Sequence, residues 1–150
     1  MKNIFAILTL ISSILIYSQN SYKEIKTDQL NSGKSQTAKN FIRTFLDKCE
    51  DKDYSAFKNF NLSNGFKNFM NEKLEEICLS NAAKFGKIRI ENLNSAYKEK
   101  ISLIGGNELY IFNSNTEKVK DTKYLSVWIS KQNQIDGMVI TSEKPLKKKN

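Results

Sequence analysis

Few residues in this chain are placed for chemistry. Ser55-Ala56-Phe57-Lys58 and Ser95-Ala96-Tyr97-Lys98 share the S-x-x-K spacing, which on a helix brings a lysine amine within reach of a serine hydroxyl. Neither has the companion motifs such a nucleophile needs. Ser95 also falls in a stretch that alternates like a strand, so both are read as chance in a lysine- and serine-rich chain. Histidine is absent and cysteine occurs twice, too few ligands for a metal site. The paired acids Glu50/Asp51 and Glu75/Glu76 sit at helix ends, where solvated carboxylates are ordinary. Two acids stand apart: Asp136, beside Gly137 at the start of the last strand, and Glu108, at the opening of another. Either would serve as a cavity base if burial or a neighbour tuned its pKa; the plainer role of Asp136 is a turn residue. Gly105-Gly106 lacks the helix that a phosphate loop requires. No cofactor is expected.

A binding surface is better marked. Leu125, Val127 and Ile129 alternate with Tyr124, Ser126 and Trp128, the period of a strand. Gln132-Asn133-Gln134 makes a turn, and Ile135–Thr141 returns as the partner strand with Gly137 inside it. Glu108–Asn113 alternates too, with Leu109 and Ile111 on one face and Tyr110 and Phe112 on the other. Tyr110, Phe112, Tyr124 and Trp128 are therefore expected on one sheet face, with the aliphatic residues on the other, against the helices. So much aromatic area turned outward suggests a partner contact. With the faces reversed, the same rings line a cavity; plain core packing accounts for them as well.

The elements before the sheet are helical. Ala38, Phe41, Ile42, Phe45, Leu46 and Cys49 fall at helical spacing behind Thr37 as N-cap. Asp53 is expected to cap a short second helix carrying Tyr54, Phe57 and Phe60. Phe66, Phe69 and Met70 form a further short turn, and Asn71 is expected to open a third helix with Leu74, Ile77, Cys78, Ala82 and Phe85 buried. Gly86 stops it. After Gly86 the period changes to two, through Ile88–Leu93 and Tyr97–Ile104. Helices first and strands after predict an α+β fold with an antiparallel sheet of four to five strands.

The ends frame this domain. Lys2, the apolar run Ile4–Tyr17 and polar Ser18-Gln19-Asn20 have the layout of a secretory signal peptide, with cleavage expected after Ser18. The run is short for a spanning helix, so no stable membrane span is expected after cleavage; an uncut anchor is the alternative. Residues 19–36 read as a flexible leader, 37–142 as one domain and 143–150 as a lysine-rich tail. The net charge is +8, but nearly every cation is lysine, Arg43 and Arg89 being the exceptions. Nucleic-acid readers lean on arginine, so nucleic acid is disfavoured as a partner. Export to the periplasm or beyond puts Cys49 and Cys78 where disulfides persist. They are either bonded, which would stabilise by about 3–4 kcal/mol, or two thiols on apolar helix faces.

The step Asp51–Phe57 (D-K-D-Y-S-A-F), the stretch Leu74–Ile88 and the strand entry Asn133–Ile140 (N-Q-I-D-G-M-V-I) together resemble the small secreted domains of the nuclear transport factor 2-like superfamily. The resemblance runs over about Thr37–Thr141 and rests on apolar positions plus Asp53, Gly86 and Gly137. It implies a cone, a bent antiparallel sheet wrapped around helices, with a cavity at the open end and dimerisation through the outer sheet face. Enzymes of that superfamily use Asp, Tyr or His in the cavity. This chain has no His, and its acids do not match those motifs residue by residue. The leading expectation is an exported, non-enzymatic binding domain for a small apolar ligand, a peptide or its own twin. The alternative is a small cavity enzyme, an isomerase, dehydratase or hydrolase, using Asp136 or Glu108.

Overall fold

The computed structural model describes residues 22–100, 106–120 and 123–146. The expected signal peptide, the Gly105 side of its turn and the last four residues of the tail lie outside them. The described chain is α+β: two helices packed on a five-stranded antiparallel sheet. Strand β1 (Tyr22–Glu24) and a 3-10 turn (Thr27–Gln29) precede helix α1 (Ser32–Glu50) and helix α2 (Asn64–Phe85). Strands β2 (Ile88–Glu99), β3 (Glu108–Thr116), β4 (Lys123–Ile129) and β5 (Ile135–Thr141) follow. The sheet order is β1-β2-β3-β4-β5, every neighbour antiparallel. Register shifts between Ile90 and Ser95 interrupt β2, the kind of irregularity that bends a long strand.

Helix α1 starts earlier than its apolar pattern indicates. The Asn31 side chain accepts a hydrogen bond from the Lys34 backbone N–H at 3.0 Å and caps the helix there. Thr37, expected as the cap, lies inside, its hydroxyl donating to the Gly33 carbonyl. The segment expected as a flexible leader therefore carries β1, the 3-10 turn and the first turn of α1. Its polar composition hid this, because β1 is held by backbone pairing with β2.

The expected second helix does not form. Lys52 takes a left-handed backbone, φ 56°, and turns the chain out of α1. Asp53 then closes a turn, accepting from the Ser55 N–H at 3.0 Å. Tyr54, Phe57 and Phe60 have helical spacing but dock as an irregular segment. Phe41 meets the rings of Phe57, Phe60 and Phe66 at centroid distances of 5.1, 5.2 and 5.8 Å. Asn71, expected to open a third helix, is interior to α2, whose N-cap position is Ser63. Three expected helices thus become two.

Gly86 ends α2 as expected. At φ 67° it suits glycine, and a Cβ there would meet the Glu117 carboxylate at 2.8 Å. The Lys118 ammonium donates to the carbonyls of Ala82 and Ala83, satisfying the helix end and favouring its dipole.

The core fills the inner face of the sheet. Ala38, Phe41, Ile42 and Phe45 of α1 and Met70, Leu74 and Cys78 of α2 pack with Tyr110, Phe112, Leu125, Val127 and Ile129. The outer face carries a second cluster, Tyr97, Leu109, Ile111 and Leu146, with Tyr22, Tyr124 and Trp128 against it. The expected division into an aromatic and an aliphatic face is therefore wrong. Tyr110 lies opposite Val127 and Phe112 opposite Leu125, while Leu109 lies opposite Trp128. Each strand alternates as read, but the register joins the aromatics of β3 to the aliphatics of β4.

Cys49 and Cys78 are bonded, with Cα atoms 5.1 Å apart and a sequence separation of 29. The bond joins α1 to α2. Closing a loop of that length is worth about 3.5 kcal/mol. Reduction of the folded protein is expected to lower its unfolding free energy by about 2–4 kcal/mol in urea titration. The Cys49→Ala/Cys78→Ala double variant should show the same loss without reductant.

Candidate binding site

An apolar pocket lies where α1, α2 and β2 converge. Phe45, Leu46 and Cys49 come from the last turns of α1, Cys78 and Ala82 from α2, and Ile88 from the start of β2. Their cleft has a volume of about 300 Å³. Local sequence accounts for each wall. Met70, Leu74 and Cys78 recur every four residues along α2 and point one stripe at the core. The disulfide fixes that stripe against the end of α1. Gly86 turns the chain back so that Ile88 closes the third side. Polar groups stand at the rim: Asn81, Lys52, and an ion pair from Lys87 to Glu50. The lining holds an apolar floor and a disulfide, with no buried base or hydroxyl nucleophile.

A second polar constellation is buried at the sheet. Glu108 opens β3 on the inner face. Its Oε1 accepts from the Lys34 ammonium at 3.0 Å and its Oε2 from the Tyr110 hydroxyl at 2.5 Å. The Lys34 and Glu108 side chains are only 13% and 12% exposed. Burial pushes the Tyr110 hydroxyl well above the usual phenol range, and the adjacent Glu108 carboxylate adds to the rise. Both carboxylate oxygens are engaged, so the group ties the first turn of α1 to the sheet. The pocket at the disulfide does not include it.

Lys48 is a buried cation on α1. Its ammonium donates to Asp53 at 2.5 Å and to the Ser55 hydroxyl at 3.0 Å, and lies 5.5 Å from the Phe57 ring centre. The Lys48 ammonium, then the Ser55 hydroxyl and N–H, hold the Asp53 carboxyl well below the usual carboxylate range. Ser55 is thus a structural acceptor for Lys48, in a segment without helix. Ser95 lies within β2. Neither S-x-x-K stretch has the helical geometry its chemistry requires.

The sequence-derived binding set does not assemble. Tyr110 and Phe112 are fully buried in the inner core. Tyr124 and Trp128 are half-buried on the outer face beside Leu146. Asp136 is half-buried in β5, next to the register shift opposite Ile129. Sequence reasoning missed Leu46, Ala82 and Ile88 as a site. The signal was the pairing of Cys49 with Cys78 next to the Gly86 stop, since together these force three elements to one point. Among the described residues no group of three or more His, Cys, Asp or Glu is placed to hold a metal, and no helix is long and apolar enough to cross a membrane.

The buried Tyr110 sets a pH dependence. Its hydroxyl ionises near 10.0 when unfolded and higher when folded. Its contribution is therefore intact below pH 10 and lost as pH rises further, because only the unfolded state then gives up the proton. Tyr110→Phe is expected to cost about 1–3 kcal/mol at pH 7. Above pH 10 the gap to the parent should close by up to about 1.4 kcal/mol per pH unit. Urea titrations from pH 7 to 11 check this; parallel pH profiles would refute it. Comparison with known proteins returns no matching family model, no matching curated protein and no matching solved structure.

Proposed function

We propose that this chain is an exported binding domain that holds a small apolar ligand in the disulfide-walled pocket and performs no reaction on it. The pocket itself carries this reading: about 300 Å³, at the small end of the range for ligand sites, with an apolar floor and a few polar rim groups. The Asn81 amide and the Lys52 ammonium suit a hydroxyl or carboxylate at one end of such a ligand. The Cys49–Cys78 bond supports export, since such bonds persist in oxidising compartments, and the N-terminal layout agrees with it. Helices followed by an antiparallel meander with an irregular, bent β2 support a cone of the nuclear transport factor 2-like kind.

The cavity-enzyme alternative finds its buried acid in Glu108, but both oxygens of that acid are taken by Lys34 and Tyr110. A second copy docking on the outer sheet face would have to displace Leu146, which packs there and accepts from the Tyr97 hydroxyl at 3.4 Å.

Titration of the mature chain with phenylnaphthylamine, a neutral apolar fluorophore, is expected to give saturable binding in the micromolar range. Ala82→Trp, at an exposed helix position on the pocket wall, should weaken it at least about tenfold with the far-ultraviolet circular dichroism unchanged. Absent saturation, or equal affinity in the variant, would defeat the assignment.

A further inference from the structure

We propose that the grooves on either side of Ala56–Phe60 form a second, independent site: a docking surface for an extended acidic peptide segment of a partner protein. One groove, about 630 Å³, runs between this segment and Asn40, Arg43 and Thr44 of α1. The other, about 470 Å³, runs between the same segment and Asn64, Lys67 and Gln134. Ala56, Phe57, Lys58 and Phe60 line both, so the segment is a ridge with a groove along each flank.

Charge selects the partner. Arg43, Lys58 and Lys67 are exposed and make no ion pair among the described residues. Among the described residues Asp53 is the acid of the first groove, already held by Lys48 and Ser55, and the second groove's lining has none. Three cations thus face the grooves without a counter-charge, in a chain of net charge +8 that draws anionic partners from a distance. Lys58 touches both grooves while Arg43 and Lys67 touch one each. Each groove alone offers two of these groups, Lys58 and one other; a chain crossing the ridge meets all three. Arg43 is one of the two arginines among lysines, and its planar fork can take a carboxylate through two parallel hydrogen bonds. The side-chain amides of Asn59, Asn61, Asn64 and Gln134 offer both donors and acceptors, as a peptide backbone requires.

The surface is also built in advance. Lys48 pins the turn at Asp53 and Ser55 from within. Phe57 and Phe60 anchor the ridge on Phe41, and at the far end Asn61 and Ser63 exchange backbone hydrogen bonds with Ile135. A partner therefore pays little to order the ridge.

The test uses a fluorescein-labelled glutamate-rich peptide of about a dozen residues and its glutamine counterpart, read by anisotropy with the mature chain. The glutamate peptide is expected to bind at micromolar Kd and to weaken as salt rises. Arg43→Glu and Lys58→Glu should each weaken it at least about tenfold, while Lys98→Glu, an exposed charge on β2, should change it less than about twofold. Ala82→Trp should leave peptide binding unchanged, which separates this site from the apolar pocket. Equal binding of the glutamine peptide, or an equal loss in Lys98→Glu, would overturn the proposal. Tighter, Arg43-dependent binding of a sulfated polysaccharide or an oligonucleotide would overturn the peptide as occupant.

Discussion

The bond between Cys49 and Cys78 is the constraint on which the arrangement of this domain turns. The two helices rest on different parts of the sheet, α1 on β2, β3 and β4 and α2 on β5. Packing on a sheet fixes how high each helix sits but leaves sliding along its own axis to side-chain fit. A covalent tie with Cα atoms 5.1 Å apart removes that freedom at the end where α1 stops and β2 begins. The same tie makes a wall. It lines the apolar pocket together with Phe45, Leu46 and Ile88.

A second constraint acts at the opposite end of α1. Lys34, in its first turn, reaches Glu108 at the start of β3, and Glu108 also takes the Tyr110 hydroxyl. A buried carboxylate costs far more than a surface one unless its oxygens are satisfied. Here both are, so the group favours a single placement of the helix. Lys48 does comparable work near the other end, where a buried ammonium finds Asp53, Ser55 and the face of Phe57. The helix is thus fixed at three depths: by an ion pair at its start, by a buried ammonium near its end, and by a disulfide beside it.

These contacts explain which parts of the molecule the sequence reveals. Local rules suffice for the strands of the last hairpin, the turn at Gln132–Gln134, the Gly86 stop and the apolar stripe Ala38–Phe41–Ile42–Phe45. Alternation within a strand fixes two faces for that strand but says nothing about which face of its neighbour it joins. That depends on the length and path of the loop between them, which is why Tyr110 and Phe112 went inward while Trp128 and Tyr124 went outward. The segment Tyr54–Phe60 misleads for a related reason. Its rings recur every three residues, as in a helix, but Phe57 and Phe60 meet Phe41, distant in sequence, and a left-handed Lys52 has already broken the helical path. Asp53 carried a correct signal for a turn residue, which serves an N-cap and a free-standing turn equally well. The pocket residues were legible only as core, because a wall and a core side chain share one chemistry. Their difference is a gap left between three elements.

The outer sheet face is partly covered by the chain itself. An antiparallel sheet with helices on one side must cover or solvate the other, and this one carries Leu109, Ile111, Tyr124 and Trp128 there. The chain covers part of that surface itself. After β5 it returns so that Leu146 is buried in the outer cluster and the Lys144 ammonium lies 5.6 Å from the Tyr97 ring centre. Residues read as a lysine-rich tail are therefore, as far as Leu146, a cover for apolar surface. A partner on that face competes with a segment already attached, whose effective concentration is high. On the helix side no such competitor is seated among the described residues, and there the clefts, the unpaired cations and the disulfide wall all occur. The distribution of cover thus leaves the larger clefts not on the sheet, where the aromatic pattern first draws attention, but at the junctions between helix and loop.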